Sequence, residues 1–163
     1  MKMLTVIMTI YLAITQIKPL TEEEVQTYLQ HNRIQAVDYK LINDTTAIIL
    51  EIDGPRASAH KICKQSDHSI VEESEISSWE EDEDGISVKS DNVYLYVVIH
   101  EKAVRHDIEF FNINYFDGGN MQKDRFELNH KRGALVERSS KYKGGGTVSL
   151  YGSDGFIGEA IFY

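Results

Sequence analysis

The spacing of hydrophobic positions first predicts a helix and then changes to that of strands. Val25 and Leu29 lie four positions apart, on what would be one face of a helix. Before them, the Thr21 hydroxyl can accept a hydrogen bond from the Glu24 N–H, and the Glu24 carboxylate can reach back to the Thr21 N–H. This capping box predicts a short helix over residues 22–31.

After the predicted helix, apolar residues alternate with polar ones, as at Tyr39 and Leu41. A turn sequence, Asn43-Asp44, separates them from the apolar run Ala47–Ile52, and this arrangement is typical of a β-hairpin. A third strand at 57–63 is compatible with the pattern. Helix and hairpin together predict a small α+β unit at residues 20–65.

The strand pattern is strongest in residues 86–163. Val93–Ile99 is apolar on both faces, which predicts a strand in the centre of a sheet. Short apolar segments separated by glycine-containing turns follow it, and this spacing is typical of a sandwich. The segments are Ile108–Phe116, Arg125–Leu128, Ala134–Val136, Thr147–Tyr151 and Phe156–Tyr163. We therefore expect a mainly β protein whose helix and hairpin precede an immunoglobulin-like antiparallel β-sandwich.

Residues 66–85 differ in composition from both flanking parts. Nine acidic residues lie between Asp67 and Asp84, with no lysine or arginine among them. Such like-charged segments are typically solvated and disordered. The segment is predicted to be a mobile acidic connector, and it is the best candidate for a domain boundary.

Three interpretations fit the hydrophobic segment at residues 1–19. Lys2 followed by the run 3–15 resembles the basic and apolar regions of a secretory signal, although Ala13-Ile14-Thr15 is a poor cleavage site. A membrane anchor through residues 3–17 is the second interpretation, on a stretch shorter than the roughly 20 residues of a usual span. The third is a buried strand. The first two interpretations are favoured, because the remaining chain already supplies a helix and enough strands for a fold.

Overall composition narrows the classes of partner. The chain has 163 residues, of which 42% are hydrophobic and 26% are charged, and its net charge is −9. This acidic balance argues against nucleic acid and anionic lipid as main partners. Cys63 is the sole cysteine, which excludes an intrachain disulfide and a metal site with several thiolates.

Motifs for catalysis or metal binding are weak. His60-x-x-Cys63 is the nearest approach to a zinc pattern, but residues 60 and 63 of one strand point to opposite faces. Asp82–Gly85 lacks the spacing of a calcium loop, and a lone cysteine in an apolar strand is usually a packing residue. Gly144–Gly146 precedes a strand, whereas a phosphate-binding loop opens a helix. We therefore expect no catalytic residue, no metal, no cofactor and no enzymatic activity.

Charge asymmetry gives the only candidate interaction surface that the sequence suggests. Basic residues are concentrated in 123–143, opposite in sign to the acidic segment. Either the two segments neutralise each other, within one chain or between copies, or they bind a partner. The candidate partner-binding residues are Glu80, Glu81, Asp82, Glu83, Asp84, Lys131, Arg132, Lys141 and Lys143.

Two stretches carry a resemblance to known sequences. Residues 21–54, and the later segments DGGN, RGALVE and GGGTVSLYGSDGFIGE, resemble small uncharacterised proteins of Bacillus-type Gram-positive bacteria. The resemblance implies an exported or anchored protein with a C-terminal β-sandwich, and it implies no known activity. We expect a non-enzymatic extracytoplasmic β-rich module that binds a protein or a wall component. The alternative is a cytosolic acidic inhibitor, of the immunity type, that masks a basic partner.

Overall fold

A computed structural model describes residues 18–81, 85–104, 107–138 and 140–163, except for the side chain of Val104. These residues form eleven strands, two α-helices and one 3-10 turn. Along the chain they are α1 (Glu22–Asn32), β1 (Ala36–Asn43), β2 (Thr46–Asp53), β3 (Arg56–Lys64), β4 (Ile70–Glu80), β5 (Ile86–Ser90), β6 (Tyr94–Ile99), α2 (Glu101–Val104), β7 (Ile108–Asp117), β8 (Asn120–Glu127), β9 (Gly133–Glu137), the 3-10 turn (Ser140–Tyr142), β10 (Gly146–Gly152) and β11 (Gly155–Phe162).

Helix α1 begins at the predicted capping box. The Thr21 N–H donates to Glu24 Oε2 at 3.0 Å, and the Glu24 N–H donates to Thr21 Oγ1 at 3.2 Å. The helix is followed by Arg33 in a left-handed conformation, with φ of 57°. Val25 and Leu29 are buried on the helix face that the spacing predicted. They pack with Leu20, Ala47, Ile49 and Ile62.

A buried lysine also ties this helix to β3. Lys64 is only 5% exposed, and its ammonium donates to both carboxylate oxygens of Glu24, at 2.6 and 2.8 Å. A third, longer bond of 3.3 Å reaches the Pro19 carbonyl. The ion pair therefore fixes the start of the helix over the end of a strand.

The strands form three antiparallel sheets. Sheet A has the order β1-β2-β3-β4, sheet B has β5-β6-β9, and sheet C has β11-β10-β7-β8. Helix α1 covers one face of sheet A, and the other face of sheet A packs on sheet B. Sheet C packs on the far face of sheet B. The described chain is thus mainly β, with sheet B as its middle layer.

Strand β6 is the centre of this arrangement. All six of its residues are buried, which confirms the central position predicted from its apolar pattern. Tyr96 and Val98 pack towards sheet A, whereas Leu95 and Val97 pack towards sheet C. Because successive side chains of a strand point to opposite faces, one strand serves two cores.

The predicted acidic connector is wrong over most of its length, because residues 70–80 form strand β4. β4 pairs with β3 from Ile70 to Glu80. Its carboxylates find cations on the neighbouring strand: Glu73 lies 2.8 Å from the Lys61 ammonium, and Glu75 lies 3.5 Å from the Arg56 guanidinium. Pairing between strands therefore overrides the local excess of negative charge. Sheet A consequently extends beyond the unit predicted for residues 20–65.

The predicted signal or anchor at residues 3–17 lies outside the described residues, as do Asp82, Glu83 and Asp84. Within the described part of the chain, neither helix has the length and apolar character that a membrane span requires.

Candidate functional site

Exposed apolar side chains are concentrated on one sheet. Six large hydrophobic residues are exposed among those described, and five of them lie on sheet C or directly at its end. The exception is Val93, in the turn between β5 and β6. The other five are Phe116, Met121, Phe156, Ile161 and Tyr163. We call the side of sheet C that is turned away from sheet B its outer face.

Strand alternation explains why this face is exposed. In β7, Phe111 and Ile113 are fully buried against sheet B. Phe110, Asn112 and Phe116 therefore point to the outer face. The middle of the strand alternates buried apolar residues with the amides Asn112 and Asn114, but the outer side is aromatic at both ends, at Phe110 and Phe116.

An aromatic row crosses the outer face at one end. Phe110 on β7 lies opposite Tyr151 on β10, and their rings stack with centroids 5.0 Å apart and planes at 6°. Phe156 on β11 meets Tyr151 edge-on at 5.8 Å. The Arg125 guanidinium lies 3.4 Å from the centre of the Phe110 ring. The three rings therefore span β7, β10 and β11, and Arg125 adds a contact from the fourth strand, β8.

A polar group of side chains occupies the centre of the face. Asn114 donates to Ser149 Oγ at 2.8 Å and to Thr147 Oγ1 at 3.2 Å, and the Ser149 hydroxyl donates to Glu159 Oε2 at 2.7 Å. The neighbouring Asn112 is 1% exposed, and neither its amide oxygen nor its amide nitrogen has a hydrogen-bond partner in the described structure. Because buried amides nearly always have partners, Asn112 is an unusual group.

Lys123 extends diagonally across the outer face, past the strand position of Asn112. Lys123 lies on β8 opposite Asn114, yet its ammonium is over the Tyr151 ring on β10, 5.4 Å from the ring centre. Its side chain must therefore cross β7, at the position of Asn112, to reach that ring. The aliphatic part of a surface lysine commonly lies along the protein while its charged end stays accessible to solvent. Arg125 and Ser149, on the two neighbouring strands, lie directly opposite Asn112.

Charges on the outer face are balanced. Lys123 and Arg125 contribute two positive charges, and Glu127 and Glu159 contribute two negative ones. Arg125 Nε lies 2.6 Å from Glu127 Oε1. In a chain of net charge −9, this surface is neutral. It offers no field that would favour a strongly charged ligand.

Comparison with known proteins gives no relative. No protein family, no curated protein and no solved structure matches this chain. The assignment of a candidate site therefore rests on the geometry of this structure.

The acidic residues proposed from the sequence lie elsewhere in the fold. Glu80 is exposed at the end of β4, opposite Arg56. Glu81 lines a cavity of about 310 Å³ together with Arg132, so the structure brings one acidic and one basic candidate together. This cavity lies beside the β2–β3 turn and helix α2, away from the outer face of sheet C.

The remaining basic candidates lie at the surface and interact with residues outside the acidic segment. Lys131 lies 2.9 Å from Asp38, and Lys141 lies 3.7 Å from Asp124. Lys143 is exposed between the 3-10 turn and β10. Asp38 belongs to β1 and Asp124 to β8, so these two ion pairs do not join the basic segment to residues 66–85.

Two histidines have serine partners that sequence reasoning missed. His60 Nε2 lies 2.8 Å from Ser58 Oγ, and His60 Nδ1 lies 3.0 Å from Glu72 Oε1. The serine, the histidine and the carboxylate are therefore connected in the same order as in a catalytic triad. However, Ser58 is only 8% exposed, on an inner strand of sheet A, which is unfavourable for a nucleophile that must reach a substrate.

The second pair is Ser87 Oγ and His100 Nε2, 2.6 Å apart and buried. Burial lowers the pKa of His100, so its neutral form is favoured in the fold. No group of three or more histidine, cysteine, aspartate or glutamate side chains in the described chain is arranged to hold a metal ion. The outer face of sheet C is thus the better candidate site.

Proposed function

We propose that this chain is a non-enzymatic bacterial binding module that holds a protein or a wall component on the outer face of sheet C. The observation that carries the proposal is the concentration of exposed large apolar side chains on that one face. Contiguous exposed apolar patches on soluble proteins typically mark interaction sites. Phe116 and Met121 lie directly opposite each other in the pairing of β7 and β8, which makes part of this patch continuous.

The proposal includes an immunoglobulin-like arrangement for residues 86–163. Its support is the strand order, with β5-β6-β9 in one sheet and β11-β10-β7-β8 in the other. If these strands are lettered in chain order, the orders become A-B-E and G-F-C-D. They differ from the constant-type order, ABED and CFG, in that the fourth strand joins the other sheet. Such sandwiches commonly present binding surfaces.

An extracytoplasmic location, secreted or membrane-anchored, is also part of the proposal. Its support is the hydrophobic run that follows Lys2 in the sequence. The cytosolic alternative, an acidic inhibitor, has less support, because acidic residues of β4 are already paired with cations inside sheet A. Glu73 with Lys61 is an example.

Co-sedimentation with isolated Gram-positive cell walls tests the proposed function. The purified chain should sediment with the walls, and the double variant Phe116→Lys/Phe156→Lys should stay in the supernatant. Val93→Lys is the matched control, because Val93 is 51% exposed and lies outside the face. Sedimentation that is absent from the unaltered chain, or that all variants share equally, would show that the outer face has no such role.

A further inference from the structure

We propose that the outer face of sheet C binds an uncharged polysaccharide chain, whose hydroxyl groups pair with the Asn112 amide while a sugar ring lies against Phe156. This inference rests on the proposed function and names the ligand chemistry of the same face.

The Asn112 amide supplies the hydrogen-bonding groups. An asparagine side chain carries two N–H donors and a carbonyl acceptor, and here none of them has a partner in the described structure. Two neighbouring sugar hydroxyls offer one acceptor and one donor at a similar separation. A hydroxyl-rich ligand therefore satisfies both ends of the amide at once, which an apolar ligand cannot do.

In this proposal Lys123 controls access to the amide, because its side chain crosses β7 on the way to the Tyr151 ring. Its side chain is exposed, and its ammonium over the Tyr151 ring makes a cation–π contact, which is weak at a solvent-exposed site. Rotation of this flexible side chain towards solvent uncovers Asn112 without any movement of the backbone. The lysine thus acts as a cover that a ligand displaces.

Phe156 supplies the apolar contact. It is 61% exposed at the end of the aromatic row, held edge-on by Tyr151. The face of an aromatic ring carries partial negative charge, so it attracts the C–H groups that line one side of a sugar ring. The contact with the Phe156 ring and the hydrogen bonds to the Asn112 amide together fix the orientation of the sugar chain.

The charge of the face argues for a neutral polymer. Two cations and two carboxylates balance, and Arg125 is already paired with Glu127. An anionic wall polymer would meet both signs of charge at close range. The affinity for an uncharged chain should therefore change little between low and high salt, because salt screens only interactions between charges.

The size of the face favours a narrow polymer over a protein. Four strands spaced about 4.8 Å apart, over about seven paired residues of about 3.3 Å each, give an area of about 400 Å². A standard protein interface buries about 800 Å² on each partner. The face has half of that area, so it suits a narrow ligand such as a single polysaccharide chain better than a protein surface.

Protein-free wall glycan and a soluble chitin oligosaccharide are the probes. Walls are treated with protease and then with hydrofluoric acid, which removes anionic polymers, and the oligosaccharide is titrated by calorimetry. We expect the unaltered chain to bind both probes at low and at high salt. Asn112→Ala should weaken binding at least tenfold. Asn120→Ala, which changes an exposed asparagine at the start of β8, should bind normally.

Lys123→Ala gives a readout that a purely structural role would not produce. Removal of the cover should strengthen binding two- to tenfold, whereas loss of a contact residue would weaken it. Each variant is first compared with the unaltered chain by thermal unfolding. Asn112→Leu is a second variant, chosen because it should fold at least as well and still fail to bind.

Two results overturn the inference and are distinguishable from failure of the proposed function. Binding to untreated walls that disappears after protease treatment would identify a protein ligand, so the polysaccharide would be wrong while the binding face stands. Equal affinity of Asn112→Ala and the unaltered chain would remove the amide from the site. Failure to bind untreated walls would contradict both proposals.

Discussion

Removal of the Glu24 carboxylate would leave the Lys64 ammonium buried without a counter-charge. The Lys64 side chain is 3% exposed, and both Glu24 oxygens accept hydrogen bonds from it. Glu24 is less enclosed, with 37% of its side chain exposed. The two partners of this ion pair are therefore unequal, and the two single substitutions should have unequal costs.

The magnitude follows from this difference in burial. Loss of one partner of a buried pair costs about 3–5 kcal/mol, and because Glu24 is partly solvated we take the lower end, about 3 kcal/mol, for Glu24→Ala. Lys64→Met puts an apolar side chain into a buried site and leaves a carboxylate that water can reach, so it should cost about 1 kcal/mol or less. Thr21→Ala, the cap control, should cost about 1 kcal/mol.

Urea unfolding followed by fluorescence measures these differences. Trp79, the single tryptophan, packs between sheets A and B and reports on the loss of that core. The free energies come from the shift of the midpoint at constant slope. If Lys64→Met destabilises the chain as much as Glu24→Ala does, the reasoning from unequal burial is wrong.

The same pair gives a dependence on pH. The hydrogen bond from Lys64, followed by the Thr21 backbone N–H, holds the pKa of the Glu24 carboxyl below its ordinary value of 4.5. As the pH falls, the Glu24 carboxyl is therefore protonated in the unfolded chain before it is protonated in the folded chain. The stabilisation is therefore complete above about pH 4.5 and is lost as the pH falls through the pKa of the folded state. Lys64→Met should lose less stability than the unaltered chain between pH 5 and 3.

Three further outcomes follow from the structure. Asn112→Leu should raise the free energy of unfolding by about 1 kcal/mol in urea, because it removes a buried amide without partners. Burial lowers the pKa of His100, so below about pH 6.5 this histidine is protonated more readily in the unfolded chain than in the folded one, and stability falls. Between pH 7 and 5, the melting temperature of His100→Gln should therefore fall less than that of the unaltered chain. Gly146→Ala should cost about 1–3 kcal/mol in urea, because a Cβ would meet the Asn114 carbonyl oxygen at 2.2 Å. Gly144→Ala, where a Cβ meets nothing within 4 Å, should be close to neutral by the same measurement.

Elements with local causes could be predicted from the sequence. The capping box joins residues three positions apart, so Thr21 and Glu24 were sufficient to place the start of α1. β6 could be assigned to a central position because all its residues are apolar, whichever face they take. Strand β4 could not be predicted, because the cations that pair with its carboxylates, Arg56 and Lys61, lie on another strand.

The candidate site could not be predicted because it depends on the pairing of distant strands. Phe110, Tyr151 and Phe156 form one row only when β7, β10 and β11 are paired in register. The charge pattern of the sequence instead indicates candidate partner-binding residues within 80–84 and 131–143. One signal was available: Phe110 and Phe116 are aromatic at the positions that alternate with the buried Phe111 and Ile113. An excess of aromatic residues on the second face of a strand indicates a surface that needs a ligand or a cover.

The burial of β6 on both sides has a consequence for how the chain can be divided. Residues 85–163 made alone would expose Tyr96 and Val98, and residues 1–81 made alone would expose Leu50 and Ile52, which pack together in the intact chain. Each fragment would carry the surface that recognises the other. When the two fragments are co-expressed as separate polypeptides, they should reassemble. If each fragment is fused to one half of a split reporter, reporter activity should be restored only when both fragments are present.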